Sequence, residues 1–102
     1  MTVSRLNVPS DIEWPVNFRQ RLFGMIYGFR FQNNPLGQYA ELELRQDDQT
    51  ILRERLVYQS PYGHKSTRSP ILVWPASPDG RDRRPTEKTI RDGDVLLLVI
   101  DR

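Results

Sequence analysis

Cysteine is absent from this chain of 102 residues. That excludes disulfides, thiol catalysis and any Cys-containing zinc site. Histidine occurs once, at His64, and a single imidazole without thiolates leaves a transition-metal site short of ligands. No glycine-rich phosphate loop is present. The longest apolar run, Val95–Ile100, is far too short to cross a bilayer. The segment Met1–Pro9 lacks the long apolar stretch of a secretory signal, so the expectation is a soluble protein made in a cytoplasm. Apolar residues make up only 37% of the chain and mean hydropathy is −0.62. Such a thin apolar share predicts a small domain that completes its core, or covers its edges, with a partner. Lysine is scarce as well: Lys65 and Lys88 are the only two among 15 basic residues. The remainder are arginines, whose planar forks suit carboxylate pairing and interface burial. With 13 acidic residues the net charge is just +2, which excludes a strongly polycationic chain.

What is present is alternation. In Ile26–Gln32, Tyr27, Phe29 and Phe31 fall on one side of a period-2 ribbon and Gly28, Arg30 and Gln32 on the other. In Tyr39–Arg45, Ala40, Leu42 and Leu44 oppose Tyr39, Glu41, Glu43 and Arg45. Thr50–Tyr58 reads as a less regular third strand. Turn chemistry separates them at Asn33–Gly37 and Asp47–Gln49. Upstream, Thr2–Val8 is an edge strand or an extended arm, and Pro15 favours an extended Trp14. Val16–Phe23 is a strand with Phe18 and Leu22 inward. Gly24-Met25 is either the turn of a Val16–Phe31 hairpin or a bulge in one long strand. Downstream, Gln59–Ser69 is polar and aperiodic and is expected to be an exposed loop. Ile71–Trp74 is a strand closed by Pro75. Ala76–Arg91 is a second loop in which Thr86–Arg91 forms one helical turn. Val95–Ile100 is a central strand buried on both faces. No internal repeat or linker divides the chain. The expected fold is all-β: one small antiparallel β-sandwich or partly open barrel of six to seven strands over residues 1–102, with residues 1–10 a possible N-terminal arm.

No catalytic constellation emerges. His64 has no local carboxylate and activated hydroxyl to complete a triad. Asp92-Gly93-Asp94 lacks the spaced oxygen ligands of a calcium loop and reads as a turn. Arg81, Arg83, Arg84, Lys88 and Arg91 would suit a phosphate backbone, but Asp79, Asp82, Glu87 and Asp92 interrupt them. Tyr27, Phe29 and Phe31 have the spacing of stacking platforms and equally that of a core stripe. The expectation is therefore a non-enzymatic domain without cofactor or metal. Its candidate partner contacts are the loop residues Tyr62, His64, Arg68, Arg81, Arg83 and Arg84, of types enriched at interfaces.

The order Gly24-Met-Ile-Tyr-Gly-Phe-Arg-Phe31, Tyr39-Ala-Glu-Leu-Glu-Leu44, Ile51-Leu52, Leu56-Val-Tyr58, Pro85-Thr86 and Asp94-Val-Leu-Leu-Leu-Val99 resembles the phage baseplate plug family of small β tail proteins. The resemblance implies a structural role in the virion at the distal end of a bacteriophage tail. There the protein would plug or cap the channel of the hub and tail tube. Its partners would be hub, tube or spike proteins, and it would be synthesised in the bacterial host cytoplasm. The family implies no catalytic residues. Two alternatives stand beside it. Thr86–Leu98 is similar to the last portion of ubiquitin-like domains, which would make this a protein-interaction module. The long helix such domains carry after the first hairpin is missing here, because Leu36–Arg45 alternates at period 2. A nucleic-acid-binding β-barrel is the other.

Overall fold

A computed structural model describes residues 2–34 and 39–102. The described residues form seven strands and one short helix in the order β1 (Val3–Arg5), β2 (Val16–Leu22), β3 (Met25–Asn34), β4 (Tyr39–Gln46), β5 (Gln49–Arg55), β6 (Ile71–Ala76), α1 (Glu87–Arg91) and β7 (Leu96–Asp101). They build two antiparallel sheets, β2-β3-β4-β5 and β1-β7-β6. The all-β architecture is the expected one.

The alternation decides which face goes inward. Tyr27, Phe29 and Phe31 of β3 and Ala40, Leu42 and Leu44 of β4 are buried, and so are Ile71 and Val73 of β6 and Leu97 and Val99 of β7. These inner faces pack against one another as one core. Phe18 stacks on Phe29 and Phe31 at centroid distances of 5.5 and 5.9 Å, and Trp14 tilts onto Phe31 at 5.2 Å. The Trp14–Pro15 peptide is cis. The aromatic stripe is thus core and offers no stacking platform to a nucleic acid.

Several expected boundaries shift. The first hairpin turns at Phe23-Gly24 rather than Gly24-Met25, because Leu22 pairs with Met25. Phe23 and Gly24 have φ of 53° and 81°, the doubly positive backbone of a turn whose twist matches the flanking strands. Asp47 and Asp48 do the same between β4 and β5, with φ of 52° and 62°. In the Asn33–Gly37 turn, Asn33 and Asn34 still belong to β3, and Pro35–Gly37 lie outside the described residues. The irregularity of the third strand is a bulge: Leu44 pairs with Leu52 but Arg45 with Thr50, leaving Ile51 extra. That strand ends at Arg55 and not Tyr58. Beyond it Gln59, at φ 55°, redirects the chain toward β6.

Pro75 lies inside β6 instead of closing it. Val73 exchanges both backbone hydrogen bonds with Tyr62 on the side away from β7. Pro75 has the same parity, so its missing N–H removes nothing from the β6–β7 ladder. Strand β7 is central as expected, yet it is fully buried on one face only: Leu97 and Val99 are buried, whereas Leu96, Leu98 and Ile100 are half-buried. The first segment is an edge strand, β1, paired with β7.

The sandwich is nearly closed into a barrel along two seams. On one side the Gln20 side chain of β2 donates to Arg5 O and accepts from Asn7 N, both at 2.8 Å. On the other, the chain between β5 and β6 pairs along the edge of β6, and the Glu54 carboxylate accepts from Gly63 N at 2.8 Å. Helix α1 covers one end with Ile90 buried. Thr86 caps it in a reciprocal pair with Thr89. Among the described residues α1 is the only helix, and none follows the first hairpin, which removes the ubiquitin-like arrangement.

Candidate functional site

The loop Gln59–Ser69, expected to be exposed, is exposed at Gln59, His64, Lys65, Thr67 and Arg68 but buries Tyr62, Gly63 and Ser69 and is strapped to the barrel. Tyr62, proposed from sequence as an exposed partner contact, is 2% exposed. Its hydroxyl lies 2.9 Å from Leu42 O and 3.1 Å from Leu52 O, bridging β4 and β5. The ring is core because its backbone adds an isolated rung to β6, aiming the side chain at the gap between sheets. Burial, and then the charge of Glu54, push its phenol well above the ordinary tyrosine range. Gly63 has φ 90°, and a Cβ there would stand 3.0 Å from Ser69 Oγ and 3.1 Å from Ile71 O, so the tight return requires glycine. The Arg102 guanidinium closes the loop, donating to Gly63 O at 2.8 Å and to the carbonyls of Ser66 and His64. Of the predicted contacts here, His64 and Arg68 are exposed. His64 Nδ1 sits 2.6 Å from Pro61 O, and a carbonyl only accepts, so Nδ1 carries the proton. With Nδ1–H held by Pro61 O, the free lone pair of the ring is on Nε2, and among the described residues no carboxylate is bonded to the ring to orient it.

The other predicted contacts lie beyond the opposite end of β6. Asp79 gathers Arg83 Nη2 at 2.6 Å, Arg81 N at 3.0 Å and the Ser77 hydroxyl into one compact turn. The Arg83 guanidinium, then Ser77, then the Arg81 amide hold its carboxyl well below the usual carboxylate range. Arg83 is therefore half-buried and engaged, while Arg81 and Arg84 are exposed. Arg84 contributes only its carbonyl, to Thr89 Oγ1 at 2.8 Å. The six residues predicted from sequence do not converge on one site.

At the α1 end, Glu87 accepts from Trp14 N at 2.9 Å, Asn33 Nδ2 at 2.6 Å and Arg91 Nη1 at 3.1 Å. Burial raises its pKa, but these three donors together outweigh that and leave it lowered. Glu87 thereby ties the Trp14 segment, β3 and α1 together. No protein-family model matches this chain, and no curated protein does. Among the described residues no group of three or more His, Asp or Glu could hold a metal ion, and no helix is long and apolar enough to cross a membrane.

Two surfaces remain, and they differ in chemistry. The outer face of β1-β7-β6 presents Val3, Leu72, Trp74, Ala76, Leu96, Leu98 and Ile100, with Arg5 its one charge. Val3 is 50% exposed and the other six are half-buried. An antiparallel sheet with a wet outer face ordinarily alternates apolar with polar, and this one does not. The outer face of β2-β3-β4-β5 carries Arg19, Arg21, Arg30, Arg45, Arg53 and Arg55 around Glu41 and Glu43. Sequence reasoning assigned function to loops and passed over both faces. The signal for the first was available, since Ile71–Trp74 and Val95–Ile100 are apolar at every position. The signal for the second was not, because it depends on which strands are neighbours.

Proposed function

We propose that this protein is a non-enzymatic structural subunit of a bacteriophage tail baseplate, of the plug kind its sequence resembles, held in place by contacts with several neighbouring tail proteins. The observation that carries this reading is the apolar outer face of β1-β7-β6. Strands β6 and β7 have the composition of strands covered on both sides, yet within the chain their outer side is only half-buried where their inner apolar residues are fully buried. A second layer supplied by another subunit accounts for both facts.

Magnitudes favour several neighbours over a simple two-fold dimer. Three strands of about five residues present a face on the order of 250 Å². Covering it is worth about 6 kcal/mol at ~25 cal/mol per Å², which lies within the ~4–15 kcal/mol that association costs. A stable two-partner complex buries roughly 800 Å² per partner. The face must therefore act together with other contacts, as in a part wedged into an assembly. The outward edge of β1 and the anchored loops supply them.

The test is co-expression of the tagged protein with its neighbouring tail genes, followed by affinity purification and mass spectrometry. Recovery of hub, tube or spike proteins from wild type, and its loss in Leu98→Lys, is the expected result. Leu98 faces outward, so the variant keeps its fold, which circular dichroism checks. A wild-type protein that stays monomeric and recovers no tail protein, or that recovers nucleic acid instead, refutes the proposal.

A further inference from the structure

Gly28 stands in the middle of β3, where a strand ordinarily carries a side chain. Glycine there costs roughly 0.5–1 kcal/mol relative to alanine. Its backbone is not left-handed, and an added Cβ would meet Arg45 Cβ at 3.4 Å and Arg45 O at 3.8 Å, contacts the sheet accommodates. The fold thus gives no reason for glycine at this position. What the missing side chain does is keep a notch open in the outer face of the four-stranded sheet.

The notch has basic walls. Arg19 on β2 and Arg45 on β4 pair directly with Gly28 on either side. Arg30 stands one step along β3, and Ile26, 51% exposed, one step the other way. A cleft of about 800 Å³ opens over them, with Glu43, Asp47 and Asp48 on its border. Of the carboxylates of this face, Glu41 is engaged by Arg53 and Gln32 and Glu43 by Thr50, while Asp47 and Asp48 sit at the β4–β5 turn on the rim of the cleft. Among the described residues Arg30 and Arg45 form no ion pair, although Glu43 stands opposite Arg30 in the register. Arg19 lies 3.9 Å from Asp48 with the two side chains 77% and 93% exposed, which is worth next to nothing. Arg30 Nε meets only the neutral Gln32 at 3.4 Å, and Arg45 donates to a backbone carbonyl.

We propose that the Gly28 notch is a docking site for an acidic segment of a partner protein, with one carboxylate seated over Gly28 among Arg19, Arg30 and Arg45. Charge complementarity selects the occupant. Isolated carboxylates reach the three guanidiniums and gain charge-assisted, bidentate hydrogen bonds. A continuous polyphosphate would have to run past Glu43, Asp47 and Asp48. Among the described strand residues whose side chains point to this face, Tyr39 is the aromatic one and lies under Arg55 at 5.5 Å. The Phe18 and Phe29 rings that also border the cleft are stacked on each other, which leaves bases a poor platform. This surface is separate from the apolar face, and the proposal does not depend on the baseplate reading.

The test is fluorescence anisotropy at low ionic strength with two labelled probes: a peptide of alternating glutamate and serine, and a single-stranded oligothymidine of equal charge. Saturable binding of the peptide is expected, weakened about tenfold by Arg30→Gln and by Arg45→Gln. Gly28→Val fills the notch while adding a strand-favouring side chain, so it is expected to lose binding at least tenfold without a fall in melting temperature. Gly28→Ala serves if valine proves destabilising. Arg83→Gln, on the Asp79 turn, is expected to bind as wild type. Absence of saturable peptide binding, a Gly28 variant that binds like wild type, or tighter binding of oligothymidine than of peptide each overturns the proposal.

Discussion

Removing one oxygen atom from the barrel interior, by Tyr62→Phe, tests how the two sheets are joined. The hydroxyl bridges Leu42 O and Leu52 O at 2.9 and 3.1 Å on a side chain 2% exposed. One proton shared between two buried carbonyls makes the loss about 1–2 kcal/mol, or roughly 4–16 °C in melting temperature for a domain of this size. The pH dependence separates this from a generic packing defect. Tyrosine in the unfolded chain ionises near pH 10, whereas burial and Glu54 keep Tyr62 protonated in the folded state well above that. Its contribution is therefore fully present below about pH 10 and falls by about 1.4 kcal/mol per pH unit above it. Phenylalanine has no such slope. The variant is less stable at neutral pH and overtakes wild type about one pH unit above 10, while Tyr27, also raised by burial, is common to both proteins. Urea unfolding from about pH 8 upward, with unchanged m-value, reads both effects. Parallel curves for the two proteins, or a neutral-pH loss below about 0.5 kcal/mol, would refute the reasoning.

Three further outcomes are expected. Gln20→Ala opens the seam to β1 at a cost of about 0.5–1.5 kcal/mol, and hydrogen exchange at Asn7 and β1 amides accelerates while β3 amides hold. Glu87→Gln flattens the acid limb: wild-type stability is full above the unfolded carboxyl pKa and is lost as pH falls through the lowered folded value, which melts between neutral and strongly acidic pH record. Leu42→Ala, at a position with 0% exposure, costs about 2–5 kcal/mol and lowers the urea midpoint far more than Leu98→Lys does.

The strands of the larger sheet were legible because each carries its own evidence. Tyr27, Phe29 and Phe31 alternate with Gly28, Arg30 and Gln32 whatever lies beside them, and the pleat alone sends them to opposite faces. The capped turn at Thr86–Arg91 was legible for the same local reason. Pro75 misled because a proline ends a strand only where its N–H would enter the ladder, and edge position cannot be read locally. Tyr62 misled in the same way: a tyrosine among serines, prolines and a glycine looks like loop surface until its backbone is found bonded to Val73. The candidate contacts in the loops were exposed in four cases of six, His64, Arg68, Arg81 and Arg84, yet exposure did not gather them into one surface.

Sequence by itself determined the fold class, the faces of β3 and β4, and the unbroken apolar character of β6 and β7, since these follow from steric rules acting over a few residues. Tertiary structure alone decided that β6 and β7 share an apolar outer face left half-buried, that Gln20 and Tyr62 join the two sheets, and that Gly28 opens between Arg19 and Arg45. Those facts depend on pairing between strands distant in the chain, and pairing is settled by how the whole core closes, not by any segment's own periodicity.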